Sequence, residues 1–90
     1  MKDPIDRQPV RLAPTYRFQW EEAQQAHVLL YPEGMVKLNG PAGEILKHCD
    51  GTRTETQVIE ALQQQFPGND GLADDVRAFL SDARTRGWVC

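Results

Sequence analysis

The side chains able to do chemistry in this chain are few, and their spacing does not suit chemistry. His48 and Cys49 are adjacent, and consecutive residues on a helix diverge by about 100°, too far to aim at one metal ion. His27, Asp50 and Cys90 complete no ligand spacing, so no metal site is expected. Two carboxylate pairs, Glu21-Glu22 and Asp74-Asp75, invite a general acid–base reading. The first lies in a polar connection, and the second in the first turn of a helix, where acids favour the dipole. The seven glycines are scattered over turns and caps rather than gathered in a phosphate-binding loop. No histidine lies close to a plausible nucleophile, because Cys49 falls on the apolar face of a helix and reads as a small buried hydrophobe. The expectation is a binding protein with no catalytic residue and no cofactor.

Bulk properties narrow the class of partner. Ninety residues with 40% hydrophobic and 26% charged side chains make one globular domain. Net charge is −3, with 6 Lys/Arg against 7 Asp/Glu in residues 1–50 and 4 against 6 in residues 51–90. Neither half supplies the basic face that neutralises phosphates, so nucleic acid is disfavoured as a partner. MKDPIDRQPVRL lacks the apolar core of a secretory signal, and no apolar run reaches membrane length. Two cysteines make no disulfide framework. A cytoplasmic location is expected from these features.

The elements that must position any binding surface are legible along the chain. Residues 1–10 read as a flexible N-terminal arm and residues 11–90 as the domain. Tyr16, Phe18 and Trp20 alternate with polar residues, the period-2 pattern of a half-buried strand with its aromatics packed in the core. His27 to Tyr31 reads as a more central strand. Tyr31-Pro32-Glu33-Gly34 predicts a three-residue hairpin loop, with Gly34 in the left-handed position of a bulge. Met35 to Leu38 returns as the third strand, Val36 and Leu38 on one face and Met35 and Lys37 on the other. Asn39 caps a first helix with Pro41 in its first turn, Ile45, Leu46 and Cys49 on its apolar face and Asp50-Gly51 as terminator. Thr54-Glu55-Thr56-Gln57 is a capping box for a second helix, with Val58, Ile59, Leu62 and Phe66 on one stripe. Pro67-Gly68 ends that helix. A third runs from about Leu72 to Arg86, with Leu72, Val76, Phe79, Leu80 and Ala83 at helical spacing and Gly87 as its stop. The order β-β-β-α-α-α predicts an α+β domain, a three-stranded antiparallel sheet followed by three helices, winged-helix-like.

One combination of motifs is specific. HVLLYPEGMVKLNGPAGEILKHCDGTRT, preceded by YRFQWEEAQ and followed by DDVRAFLSDA and a terminal Gly87-Trp88, closely resembles the PqqD family of pyrroloquinoline quinone (PQQ) biosynthesis. The similarity extends over about residues 9 to 89. It implies a peptide chaperone that binds the ribosomally made precursor peptide and presents it to a radical S-adenosylmethionine enzyme. In the wider group of peptide-recognition domains, the peptide docks as an added strand along the third strand, against the third helix. Carried onto this sequence, the implied peptide-binding residues are Met35, Val36, Lys37 and Leu38 with Val76, Arg77, Phe79, Leu80 and Arg84. An open edge strand is also a route to self-pairing, so a homodimer through strand pairing or swapping is a further expectation. The alternative from a different class is a winged-helix nucleic-acid-binding or regulatory protein.

Overall fold

Alternation of aromatic and polar residues does produce the central sheet. The computed structural model describes residues 8–90. In chain order its elements are β1 (Pro9–Arg11), β2 (Arg17–Glu21), β3 (Ala26–Tyr31), β4 (Gly34–Lys37), α1 (Gly40–Lys47), β5 (Asp50–Thr54), α2 (Glu55–Gln65) and α3 (Leu72–Thr85). Strands β2, β3 and β4 form one antiparallel sheet in that order, so β2 and β4 are its edges. The pairs Phe18↔Leu29 and Leu29↔Val36 put one residue of each strand in a row facing the helices. Leu29 and Leu38 join Ile45, Leu46, Val58, Ile59, Leu62, Val76 and Leu80 in the core, with Tyr16, Phe18 and Val36 packed against it. The α+β class and the three helices are therefore as expected.

A second, two-stranded sheet pairs β1 with β5, and the sequence reading missed it. The strands are Pro-Val-Arg and Asp-Gly-Thr-Arg-Thr, too short and too polar to show an alternating pattern. This sheet corrects two expectations. The boundary of the N-terminal arm moves, because Val10 is only 1% exposed and belongs to the core. The rest of the expected arm, residues 1–7, lies outside the described residues. Asp50-Gly51 does not terminate α1, which ends at Lys47 with His48 as its C-cap. Gly51 does take a positive φ, +85°, but inside β5, where the register against β1 slips between Pro9↔Thr54 and Arg11↔Asp50. The C-terminus is sewn to the same region: Leu12 bridges Val89, and the Cys90 N–H donates to the Arg11 carbonyl at 2.9 Å.

Other local signals behave as their chemistry requires. Asn39 Oδ1 accepts the Ala42 N–H at 2.8 Å, capping α1. At α2, Thr54 Oγ1 accepts from the Gln57 N–H, and Gln57 Oε1 accepts from the Thr54 N–H, completing the capping box. The β3–β4 hairpin differs in detail. Gly34 pairs with Tyr31, leaving a two-residue loop of Pro32-Glu33, and its φ of +157° is nearly extended rather than left-handed helical. Gly43 has a different role. A Cβ there would stand 2.9 Å from His27 Nδ1, so the missing side chain is what lets α1 lie on β3.

Candidate functional site

The free edge of β4 follows from its register. The Leu38 N–H donates to the His27 carbonyl at 2.9 Å. In an antiparallel ladder the bonded residues alternate, so Leu38, Val36 and Gly34 bond towards β3 while the backbone groups of Met35 and Lys37 point outward. The side chains divide as the sequence predicts. Leu38 is buried and Val36 half-buried against the core, whereas Met35 is 43% exposed on the opposite face with Lys37. Among the described residues Lys37 has no acidic partner within ion-pair distance, and it is the only charge on β4. This is an edge with two free N–H and two free C=O groups and little to repel an added strand.

The third-helix residues implied by the family resemblance do not form one surface. Val76 and Leu80 are 0% exposed and belong to the core floor. Phe79 is half-buried, its ring centroid 6.4 Å from that of Trp88. Arg77 is exposed and pairs with Asp74 one turn away at 3.7 Å. Arg84 turns inward to Glu55, with Nη1 2.9 Å from Oε1. It holds α3 against α2 by satisfying a buried carboxylate. Of the residues implied for binding, Val76 and Leu80 thus lie in the core, and Arg84 bridges two helices.

The structure also brings together residues that the sequence reading left apart. A groove of about 520 Å³ opens between the start of α1, the end of α2 and the start of α3, lined by Gly40, Pro41, Glu44, Ile45, Leu62, Phe66, Asn69, Leu72, Asp75 and Val76. Gly40 begins α1 three residues after Lys37, so the groove starts where β4 stops. At its rim, a hydrogen bond from Gln65 holds the Glu44 carboxyl below its usual range, against desolvation by burial and with help from Lys47. A smaller cavity of about 290 Å³ flanks the same point, walled by Trp20, His27, Lys37 and Leu38. Trp20 is 48% exposed, which corrects its expected place in the core. It sits near the end of an edge strand, with its ring edge-on to His27. The sequence signal for the groove is Phe66 beside Pro67-Gly68, a large apolar residue at a helix stop. Among the described residues no group of three His, Cys, Asp or Glu side chains is placed to hold a metal ion.

Residues 26–89 match the sequence family described as coenzyme PQQ synthesis protein D (PqqD). The chain belongs to the PqqD family. Among its relatives is a PqqA binding protein of Pseudomonas entomophila, 53% identical over 86 residues and covering 94% of each chain. A PqqA binding protein of Azotobacter vinelandii is 54% identical over 74 residues, covering 82% of this chain and 80% of the other. The solution structure of the PqqD truncation of Methylobacterium extorquens PqqCD, described as a functional, stand-alone recognition element for ribosomally synthesised and modified peptides, superposes with a TM-score of 0.72 at 27% identity, covering 90% of this chain and 87% of that one. The heterocyclase TruD shares the fold over 11% of its own length, with a TM-score of 0.68 at 21% identity. The PqqD fold therefore recurs both alone and inside a larger enzyme.

Proposed function

We propose that this protein is the peptide chaperone of pyrroloquinoline quinone biosynthesis, which binds the precursor peptide by strand addition on β4 and presents it to the pathway's radical S-adenosylmethionine enzyme. The observation that carries the binding mode is the outward-facing backbone of Met35 and Lys37 on an uncovered edge. An extended peptide gains main-chain hydrogen bonds there, while neighbouring side-chain pockets supply selectivity. Relatives more than half identical that are named PqqA binding proteins support the identity of the peptide. The nucleic-acid alternative is disfavoured by α3 itself, which carries Asp74, Asp75 and Asp82 against Arg77 and Arg84, the latter turned inward to Glu55.

The test is titration with the precursor peptide, followed by amide hydrogen exchange. Binding should slow exchange at Met35 and Lys37 while Val36, already bonded to β3, changes little. Protection confined to Arg17–Glu21, with exchange at Met35 and Lys37 unchanged, would place the peptide on the other edge and sink this reading. Exposed β2 and β4 edges also support self-association at high concentration. Sedimentation across a wide concentration range tests that, and a monomer throughout excludes it. Pull-down of the radical enzyme with and without peptide tests presentation.

A further inference from the structure

The groove between α1, α2 and α3 has the form of a side-chain pocket and no occupant among the described residues. Its accessible apolar walls are Pro41 and Leu72, with Phe66 at its rim, 40% exposed, and the buried Ile45, Leu62 and Val76 lie beneath. That exposure costs free energy without any return within the fold. The main chain that carries the ring is fixed. Phe66 is the C-cap of α2, its N–H bonded to the Leu62 carbonyl at 2.8 Å, and Pro67 follows directly. A volume of about 520 Å³ lies within the range of pockets that take whole ligand groups.

The charges at the rim are of one sign. Glu44 and Asp75 line the groove, and no Lys, Arg or His does. Glu44 is occupied by Gln65 and Lys47, whereas Asp75 has no ion-pair partner among the described residues, although its neighbour Asp74 has Arg77. The position of the groove matters as much as its chemistry. Gly40 lines both this groove and the smaller cavity walled by Lys37 and Leu38, which places the groove beside the end of β4.

We propose that this groove is a second recognition subsite for the precursor peptide: it takes one large apolar side chain, and Asp75 pairs with a basic residue beside it. The proposal rests on strand addition at β4. Lys37 and Gly40 are three residues apart in the chain, which spans at most about 10 Å at a strand rise of about 3.3 Å per residue, so the apolar residue lies within about three positions of the one opposite Lys37. Strand pairing reads little sequence by itself, so the groove adds selectivity for an apolar–basic pair at a fixed distance from the paired segment.

Calorimetric titration with two synthetic peptides tests this: the full precursor, and a version trimmed to the segment protected by β4. Phe66→Ala and Asp75→Lys should each weaken the full peptide about tenfold and leave the trimmed one unchanged. The Asp75→Lys complex should also lose part of its salt dependence. Both side chains are exposed, and circular dichroism checks that each variant is folded. Lys37→Pro separates the two ideas. If it weakens both peptides while Phe66→Ala and Asp75→Lys bind the full peptide like the parent, the groove plays no part and β4 docking stands. If Lys37→Pro leaves both peptides unaffected, strand addition is wrong, and this proposal falls with it.

Discussion

Arg84 Nη1 donates to Glu55 Oε1 across 2.9 Å, tying the last turn of α3 to the first residue of α2. Glu55 is the one buried charged residue among those described, and Arg84 is its only ion-pair partner there. Arg84→Ala should therefore act on stability, costing about 1–3 kcal/mol by stranding the carboxylate. Chemical denaturation measures the loss. Peptide affinity of the folded variant should stay within about twofold of the parent, since the side chain faces α2 rather than β4. A larger loss of affinity without loss of stability would return Arg84 to the binding surface.

Proline substitution separates the two sides of β4. At Lys37 it removes an outward N–H that no described strand uses, so the fold should survive while peptide binding weakens. At Val36 it removes a donor from the β3–β4 ladder and should destabilise the sheet itself. Circular dichroism and calorimetry on the two variants should show opposite profiles.

Gly43→Ala ought to be favourable on helix propensity alone. Here the new Cβ meets His27 Nδ1 at 2.9 Å and His27 Cβ at 3.3 Å. The imidazole cannot easily step aside, because it is stacked on Phe18 at 4.7 Å and met edge-on by Trp20 at 5.1 Å. The variant should lose about 1–3 kcal/mol and shift the Trp20 fluorescence. Unchanged stability would mean that α1 slides freely on β3.

Burial pushes the Cys49 thiol from its ordinary 9.0 up to about 12, with Arg84 opposing the shift and Asp50 and Glu55 adding to it. Native protein should therefore show one fast-reacting thiol, Cys90, and two after denaturation. A folded pKa raised above the unfolded value favours the folded state below pH 9. That advantage is lost as pH rises from about 9 to 12, by up to about 1.4 kcal/mol per pH unit. A stability curve flat from pH 8 to 11, compared with Cys49→Ala, would contradict it.

Elements whose signals are local were legible in the chain. Asn39 with Pro41, and Thr54 with Gln57, announce helix starts because capping is satisfied within three residues. Val36 and Leu38 could be assigned to the inner face because the strand period is two. The β1–β5 sheet was not legible. Its ladder joins residues some forty positions apart, and neither strand carries an apolar pattern of its own.

The binding surface divides the same way. The sequence by itself determined the family, the β4 strand, and which of its side chains point to the core, since these follow from motif and periodicity. Only the tertiary structure decided that Val76 and Leu80 are floor, that Arg84 is a strut, and that Phe66, Pro41 and Asp75 meet beside the end of β4. Those roles depend on how α3 is rotated and packed on α1 and α2. Long-range packing sets that rotation, and the spacing of residues along one helix does not encode it.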